Sequence, residues 1–417
     1  MPFFVSPNAK SWIRVDPESD FPIQNLPLGI ADLGDEAPTL VTRIGDFAVD
    51  VLGLCDEGFI DNEGLEDFAG IAEMGKQAIV DLRKSLYDIL REGNPKLRDN
   101  SKLKKQLLLP ASELTMILPM EVPAFVDFYS GINHASNVGK MFRPDMEPLL
   151  PNYRHLPVGY NGRASSLIPS EVPVLRPNGQ TKAPDSELPT FGPTRELDFE
   201  LELGFFLAEG NDFGEAVSVA DAEEKIAGLV LVNDWSARDV QRWEYQPLGP
   251  FLAKSFATSV SPWLVSLDAL EPFRVKGPAQ EPAPLPHLQQ KGPGHFDIIL
   301  EVWLQTEKMT KPQRISHTNA RELYWNFAQQ LAHQTSNGTP TEPGDLYASG
   351  TISGPEEGSF GSMLELTWRG THPIKMVETG EERRFIEDGD VVTLKGYCLG
   401  KGFRVGFGEL VNPVAKP

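Results

Sequence analysis

Apolar residues recur at every second position in many short runs of this chain, and at three- and four-residue spacing in only a few places. The clearest run is Leu197–Asp198–Phe199–Glu200–Leu201–Glu202–Leu203, which alternates strictly. In a strand its four apolar residues face one side, and Asp198, Glu200 and Glu202 face the other. Strands are expected over residues 41–44, 47–51, 197–206, 225–233, 296–304, 362–368, 390–396 and 404–409. Helical periodicity predicts an amphipathic helix over 73–91, with Ile79, Leu82, Leu86 and Ile89/Leu90 on one face, and a second helix over 319–334. Residues 96–105 read as a charged connector, and the proline-rich stretch 272–294 as a surface loop. Pro119 and Pro123 bracket a linker where a helix cannot continue, dividing the chain into residues 1–118 and 119–417. The expectation is a mostly β, α+β protein with two domains.

Composition narrows the function. The 417 residues carry 38 Lys and Arg against 59 Asp and Glu, a formal charge of −21. A phosphate-reading groove needs a basic excess, so nucleic acid is not an expected partner, and an anionic membrane surface is disfavoured for the same reason. The best apolar run, 226–232, is far short of a membrane span. Cys55 and Cys398 make neither a disulfide framework nor a zinc site of the usual spacing. The first residues show no secretory pattern, so a cytoplasmic protein is expected. Phosphate-cradle, nucleophile-elbow and zincin motifs are missing from the sequence.

What remains is a set of acids with a few bases in suggestive settings. Neighbouring same-face positions on a strand lie about 7 Å apart, so Asp198, Glu200 and Glu202 repel unless they are solvated or bridged by a hard cation. A buried run ending at Asp234 leads into a helical stretch that places Arg238 and Gln241 on one face. Asp127, Tyr129 and His134 fall within eight residues, making His134 a candidate general base. The loop through Gly350–Thr351 offers backbone N–H groups to an anion, and Glu365 follows among apolar residues on a presumed strand. Lys254, flanked by apolar residues, needs an anionic partner if buried.

These segments together resemble the fumarylacetoacetate hydrolase (fumarylacetoacetase) family. The resemblance is carried by Asp127-Phe-Tyr-Ser, His134-Ala-Ser-Asn-Val-Gly, Leu156-Pro-Val-Gly-Tyr-Asn-Gly-Arg-Ala-Ser-Ser, Leu197-Asp-Phe-Glu-Leu-Glu, Asn233-Asp-Trp-Ser-Ala-Arg-Asp, Pro247-Leu-Gly-Pro-Phe-Leu-Ala-Lys, Gly350-Thr-Ile-Ser-Gly and Arg404-Val-Gly-Phe-Gly, in family order. It implies a small N-terminal SH3-like domain, a larger β-sandwich roll and a homodimer. It implies hydrolysis of 4-fumarylacetoacetate to fumarate and acetoacetate, the last step of tyrosine and phenylalanine degradation. By the same resemblance Asp127, Glu200, Glu202 and Asp234 are ligands of Mg²⁺ and/or Ca²⁺. Lys254 and Thr258 match a further Mg²⁺ contact, and Tyr129, Arg143, Tyr160, Gln241, Tyr245 and Thr351 match substrate contacts. Asp198 matches no ligand position, and Asn161 stands where relatives often carry histidine.

The expected mechanism has the cation polarise the diketone, His134 with Glu365 activate water, and Arg238, Gln241 and Lys254 stabilise the oxyanion. Two competing readings are a related acylpyruvate hydrolase or decarboxylase, and a non-catalytic cation-binding protein.

Overall fold

A computed structural model describes residues 3–34, 37–61, 65, 71 and 74–416. The fold is mixed α and β, and three sheets organise it. The first is a five-stranded antiparallel sheet in which Leu28–Asp32, Thr39–Ile44 and Phe47–Asp50 form a meander, flanked by Leu108–Pro110 and Thr115–Met116. The turn of the Thr39–Ile44/Phe47–Asp50 hairpin uses Gly45 at φ +54°, which residues with a Cβ rarely adopt. The helix Gly75–Leu90 buries Ile79, Leu82, Leu86, Ile89 and Leu90. The expected start at residue 73 lies outside the described residues. The charged stretch 96–105 is not an irregular connector. It forms the short helices Pro95–Arg98 and Ser101–Leu107, each capped by an asparagine side chain, Asn94 and Asn100.

The second sheet has seven strands, ordered Gly159–Asn161, Phe125–Phe128, Leu346–Ala348, Leu201–Leu207, Ile226–Asp234, Thr258–Val260 and Leu167–Pro169. Its central pair sets Leu201 opposite Asn233 and Glu202 opposite Val232. Alternation gives this sheet two dry faces. Leu203, Phe205, Leu229 and Leu231 pack into one core with Leu300, Val302, Leu394 and Phe407 of the third sheet. Phe125, Phe206, Val230 and Val232 pack on the other side with Ile30, Val49, Leu82 and Leu86 of the N-terminal region. The third sheet is antiparallel, ordered Gln313–Asn319, Ile299–Gln305, Val391–Leu399 and Arg404–Pro413. At Gly396 the two sheets approach closely, since a Cβ there would lie 2.8 Å from Leu231.

Three further expected elements differ. The run 197–206 is not one strand: Leu197–Asp198 pairs with Ser236–Ala237, the chain bends at Phe199–Glu200, and Leu201–Leu207 enters the large sheet. The helix expected over 319–334 begins only at Phe327, because Asn319 ends a strand and Asn326 supplies a capping box with Gln329. Residues 362–368 are not a strand. Ser362 caps a single helical turn, Met363–Leu366. Among the described residues no helix is long and apolar enough to cross a membrane.

Candidate metal centre and active site

The site gathers at one end of the seven-stranded sheet. Asp127 lies two residues from Phe125, Asp234 two from Val232, and Glu202 four from Phe206, so pleating aims all three from the same face. The register then brings partners: Asp234 opposes Thr258, and Asp127 opposes both Tyr160 and Ala348. Glu200, at the bend, points to the same space. Ligand oxygens of Asp127, Glu200, Glu202 and Asp234 all lie within 4.8 Å of one another, and all four side chains are buried.

Arg238 and Lys254 are buried together with six carboxyls of the site, Asp127, Asp198, Glu200, Glu202, Asp234 and Glu365. Lys254 Nζ donates to Glu200 Oε2 and, at 2.8 Å, to Asp234 Oδ2. Burial pulls the Lys254 pKa down, but Asp234 and Glu200 outweigh it and hold the ammonium charged. An ammonium has no lone pair, so the side chain acts as a counter-charge rather than a ligand atom. Thr258 Oγ1 donates to Asp234 Oδ1 at 2.6 Å, and Tyr160 donates its hydroxyl to Asp234 Oδ2 at 2.8 Å.

The carboxyls divide by environment. Burial pushes Glu200 up, yet Lys254, Arg238 and His134 outweigh it and bring its pKa down to about 2. Asp127 and Glu202 go the other way. Burial, then neighbouring carboxylates, raise both well above the ordinary range. Asp127 Oδ1 and Glu202 Oε1 are buried without a hydrogen-bond partner. Buried oxygens that lack donors and repel one another, with all-carboxylate chemistry, fit a hard divalent cation. The other Glu202 oxygen is met by the Gly350 N–H at 2.9 Å. Gly350 sits at φ +77°, and a Cβ there would lie 2.3 Å from the Phe128 carbonyl, so this donor position requires glycine.

Beside the carboxylates stands a base. His134, on the helix Ile132–Phe142, is 2 % exposed. Its Nδ1 lies 2.6 Å from Glu365 Oε2. Burial raises Glu365, but His134 and the donors Asn137 and Ser362 bring it below its ordinary value. An ionised Glu365 only accepts, so Nδ1 carries the hydrogen and Nε2 is the basic nitrogen. Nε2 faces the cluster, 3.9 Å from Glu200 Oε1. Asn137, Ser353 and Ser362 all donate to Glu365, at 3.0, 2.9 and 2.9 Å.

Arg238 opens the helix Arg238–Glu244. Its Nε donates to Asp198 at 2.8 Å, one terminal nitrogen pairs with Glu200 at 2.7 Å, and the other donates to Gln241 Oε1 at 3.1 Å. The Tyr129 ring meets the His134 ring edge-on, centroids 5.4 Å apart. Arg143 caps the end of the His134 helix, donates to the Pro148 carbonyl at 3.0 Å, and leaves its buried Nε without a partner. Thr351, buried, follows Gly350 directly. Tyr245 closes the Arg238–Glu244 helix through its backbone N–H, with no side-chain bond to the cluster among the described residues.

Thus the ligand, base and oxyanion candidates converge, whereas Arg143 and Tyr245 sit at the margin. Sequence reasoning missed Asn137, Ser353 and Ser362 around Glu365. Of these, only Ser362 carried a signal, a serine three residues before a glutamate.

Comparison with known proteins agrees along nearly the whole chain. A family model described as "Fumarylacetoacetase N-terminal" matches residues 24–119, and one described as "Fumarylacetoacetate (FAA) hydrolase C-terminal" matches residues 124–415. A fumarylacetoacetase of Dictyostelium discoideum is 47 % identical over 413 residues, covering 96 % of each chain. The Homo sapiens fumarylacetoacetase is 46 % identical over 416 residues, covering 97 % of this chain and 98 % of that one. Among solved structures, a fumarylacetoacetate hydrolase from psychrophilic Exiguobacterium antarcticum shares the fold. Its TM-score is 0.51 at 16 % identity, with 94 % of this chain and 100 % of that one covered.

Proposed function

The chain belongs to the fumarylacetoacetase family of hydrolases, and from that premise we propose how its residues cleave 4-fumarylacetoacetate into fumarate and acetoacetate. Asp127, Glu200, Glu202 and Asp234 hold a divalent cation, Mg²⁺ or Ca²⁺, with Lys254 and Thr258 fixing Asp234 beside it. When bound, the cation supplies Lewis-acid polarisation of the diketone. His134 Nε2 takes a proton from water, and Glu365 stabilises the imidazolium. The water oxygen bonds to the carbonyl carbon on the fumaryl side. Arg238, Gln241 and Lys254 steady the oxyanion, each donor contributing roughly 3 kcal/mol in such roles. As the oxyanion collapses, the carbon–carbon bond breaks, its electron pair leaves as the acetoacetate enolate, and the proton on His134 Nε2 passes to the enolate carbon, giving acetoacetate and restoring the neutral imidazole. Tyr129 and Arg143 grip the substrate carboxylate, the orphaned Arg143 Nε being the available donor. Tyr160, Tyr245 and Thr351 line the remaining substrate path.

The observation that carries this reading is the His134–Glu365 pair set against the four-carboxylate cluster. A cation-binding protein without catalysis has no use for an oriented imidazole there. We further place the protein in the cytoplasm, as a homodimer, at the end of tyrosine and phenylalanine degradation, with 1–118 as an appended N-terminal domain and 119–417 as the catalytic one. The two matched ranges, 24–119 and 124–415, support the division into two domains.

The test follows absorbance of 4-fumarylacetoacetate with Mg²⁺ or Ca²⁺ and then with EDTA, with fumarate quantified. Cation-dependent loss yielding equimolar fumarate is expected. No loss, together with turnover of an acylpyruvate, would replace the substrate assignment with that of a related acylpyruvate hydrolase or decarboxylase.

A further inference from the structure

Asp198 was left without a role by sequence and resemblance, yet it is completely buried beside the site. Its carboxylate makes three short bonds, and they go to two different machines. Oδ2 accepts from Arg238 Nε at 2.8 Å and from the Leu364 N–H at 3.0 Å. Oδ1 accepts from the Met363 N–H at 2.6 Å. Arg238 contacts Glu200 and Gln241. Met363 and Leu364 begin the single turn that carries Glu365, which holds His134.

We propose that Asp198 is a positioning residue that sets the oxyanion donor Arg238 and the His134–Glu365 base in one fixed geometry. The inference rests on the functional reading above. The physical case is one of rigidity. Met363–Leu366 is only four residues long and has little helical stability of its own. Two of its first N–H groups are tied down by one carboxylate 165 positions away in sequence. The same carboxylate fixes the guanidinium by its Nε, leaving the terminal nitrogens to Glu200 and Gln241. Charge-assisted bonds of this kind are stronger and more directional than neutral ones. The carboxylate sits where the strand bends at Phe199–Glu200, between the pairing of Leu197–Asp198 with Ser236–Ala237 and the bridge of Glu200 to Ser362. It therefore touches both elements, and its bonds to Arg238, Met363 and Leu364 occupy both carboxylate oxygens.

Asp198→Asn tests this, because the amide keeps the shape and one acceptor but cannot receive all three donors. The expected result is a kcat lower by roughly 10- to 100-fold, as for other residues that orient catalytic groups. KM should stay within about threefold, since no substrate contact is lost. Mg²⁺ or Ca²⁺ affinity by calorimetry should be unchanged. The downfield proton resonance of His134 Nδ1–H should move in the variant, which reads the base geometry independently of turnover. In an Arg238→Met background the same substitution should cost less in kcat than in the wild type.

A kcat within twofold of wild type would overturn the proposal, as would an unmoved His134 resonance. If Asp198→Asn fails to fold, Asp198→Glu serves, with the same resonance as readout. Absence of fumarylacetoacetate turnover in the wild type, together with a moved His134 resonance in Asp198→Asn, would remove the functional reading and keep the positioning role.

Discussion

At the scale of single residues, the site depends on pairing rather than on any one group. His134 is useful because Glu365 fixes its tautomer, and Glu365 stays ionised because His134, Asn137, Ser353 and Ser362 all donate to it. His134→Ala should leave cation binding intact and remove nearly all turnover, at least 10³-fold by order of magnitude for loss of a general base with its partner. Glu365→Gln should likewise leave cation binding intact and still lower kcat severely, because the amide can donate to Nδ1 and favour the wrong tautomer. Calorimetric titration with Mg²⁺ alongside steady-state kinetics checks both, and retained turnover in His134→Ala would assign the base elsewhere. Much of this was readable beforehand. Strict alternation put Asp198, Glu200 and Glu202 on one face, and the buried strand ending at Asp234 marked a cleft. Which acids meet a metal ion was not readable, because alternation sets Asp198 and Glu200 on one face, whereas the chain bends at Phe199–Glu200 and long-range folding brings them different partners. Asp198 receives Met363 and Leu364, whereas Glu200 receives Lys254 and the other acids.

At the scale of elements, local pattern failed where a short polar cap overrode it. Residues 362–368 alternate well enough for a strand, yet Ser362 and Asp198 satisfy the first N–H groups of a helical turn and the chain coils instead. Residues 319–326 likewise look helical until Asn326 is recognised as a cap. The short strand His295–Phe296 supplies a measurable consequence of such local packing. His295 Nε2 lies 2.9 Å from the Leu323 carbonyl, and burial pushes its pKa down to about 4. In the unfolded chain it returns to about 6.5. Between those values the unfolded chain takes up a proton that the native one refuses, so stability falls as pH falls. From pH 7 to pH 5 the loss is about 2 kcal/mol for this residue. Urea unfolding at both pH values, compared with His295→Gln, should show the wild type losing more by that amount. Parallel losses in the two proteins would show that His295 does not titrate abnormally.

At the scale of the molecule, the seven-stranded sheet is the shared wall of two cores. Its faces alternate between the N-terminal region and the four-stranded sheet, and the carboxylates protrude at its end. Of its strands the sequence suggested only the central pair, within 197–206 and 225–233, and not the order, since the three-residue strand Leu346–Ala348 is too short to show a period and inserts between strands more than a hundred residues earlier. The N-terminal region is also stitched to the far end of the chain: Asp20 pairs with Arg404 and accepts from the Gly408 N–H at 3.0 Å. The ligand carboxyls thus come from separate segments, Asp127, Glu200, Glu202 and Asp234, that meet only in the folded state. A cation bound there binds the native chain and not the unfolded one. At 100 times its Kd it should stabilise the fold by about 2.7 kcal/mol, and the melting temperature should rise with cation concentration and drop with EDTA. Glu202→Gln separates this from a general salt effect. The amide oxygen can keep the Gly350 N–H, while the change removes one of the mutually repelling carboxyls. Its cation-free melting temperature should therefore equal or exceed that of the wild type, and its rise with Mg²⁺ or Ca²⁺ should be largely lost. An equal rise in both proteins would place the stabilising cation away from these four carboxylates.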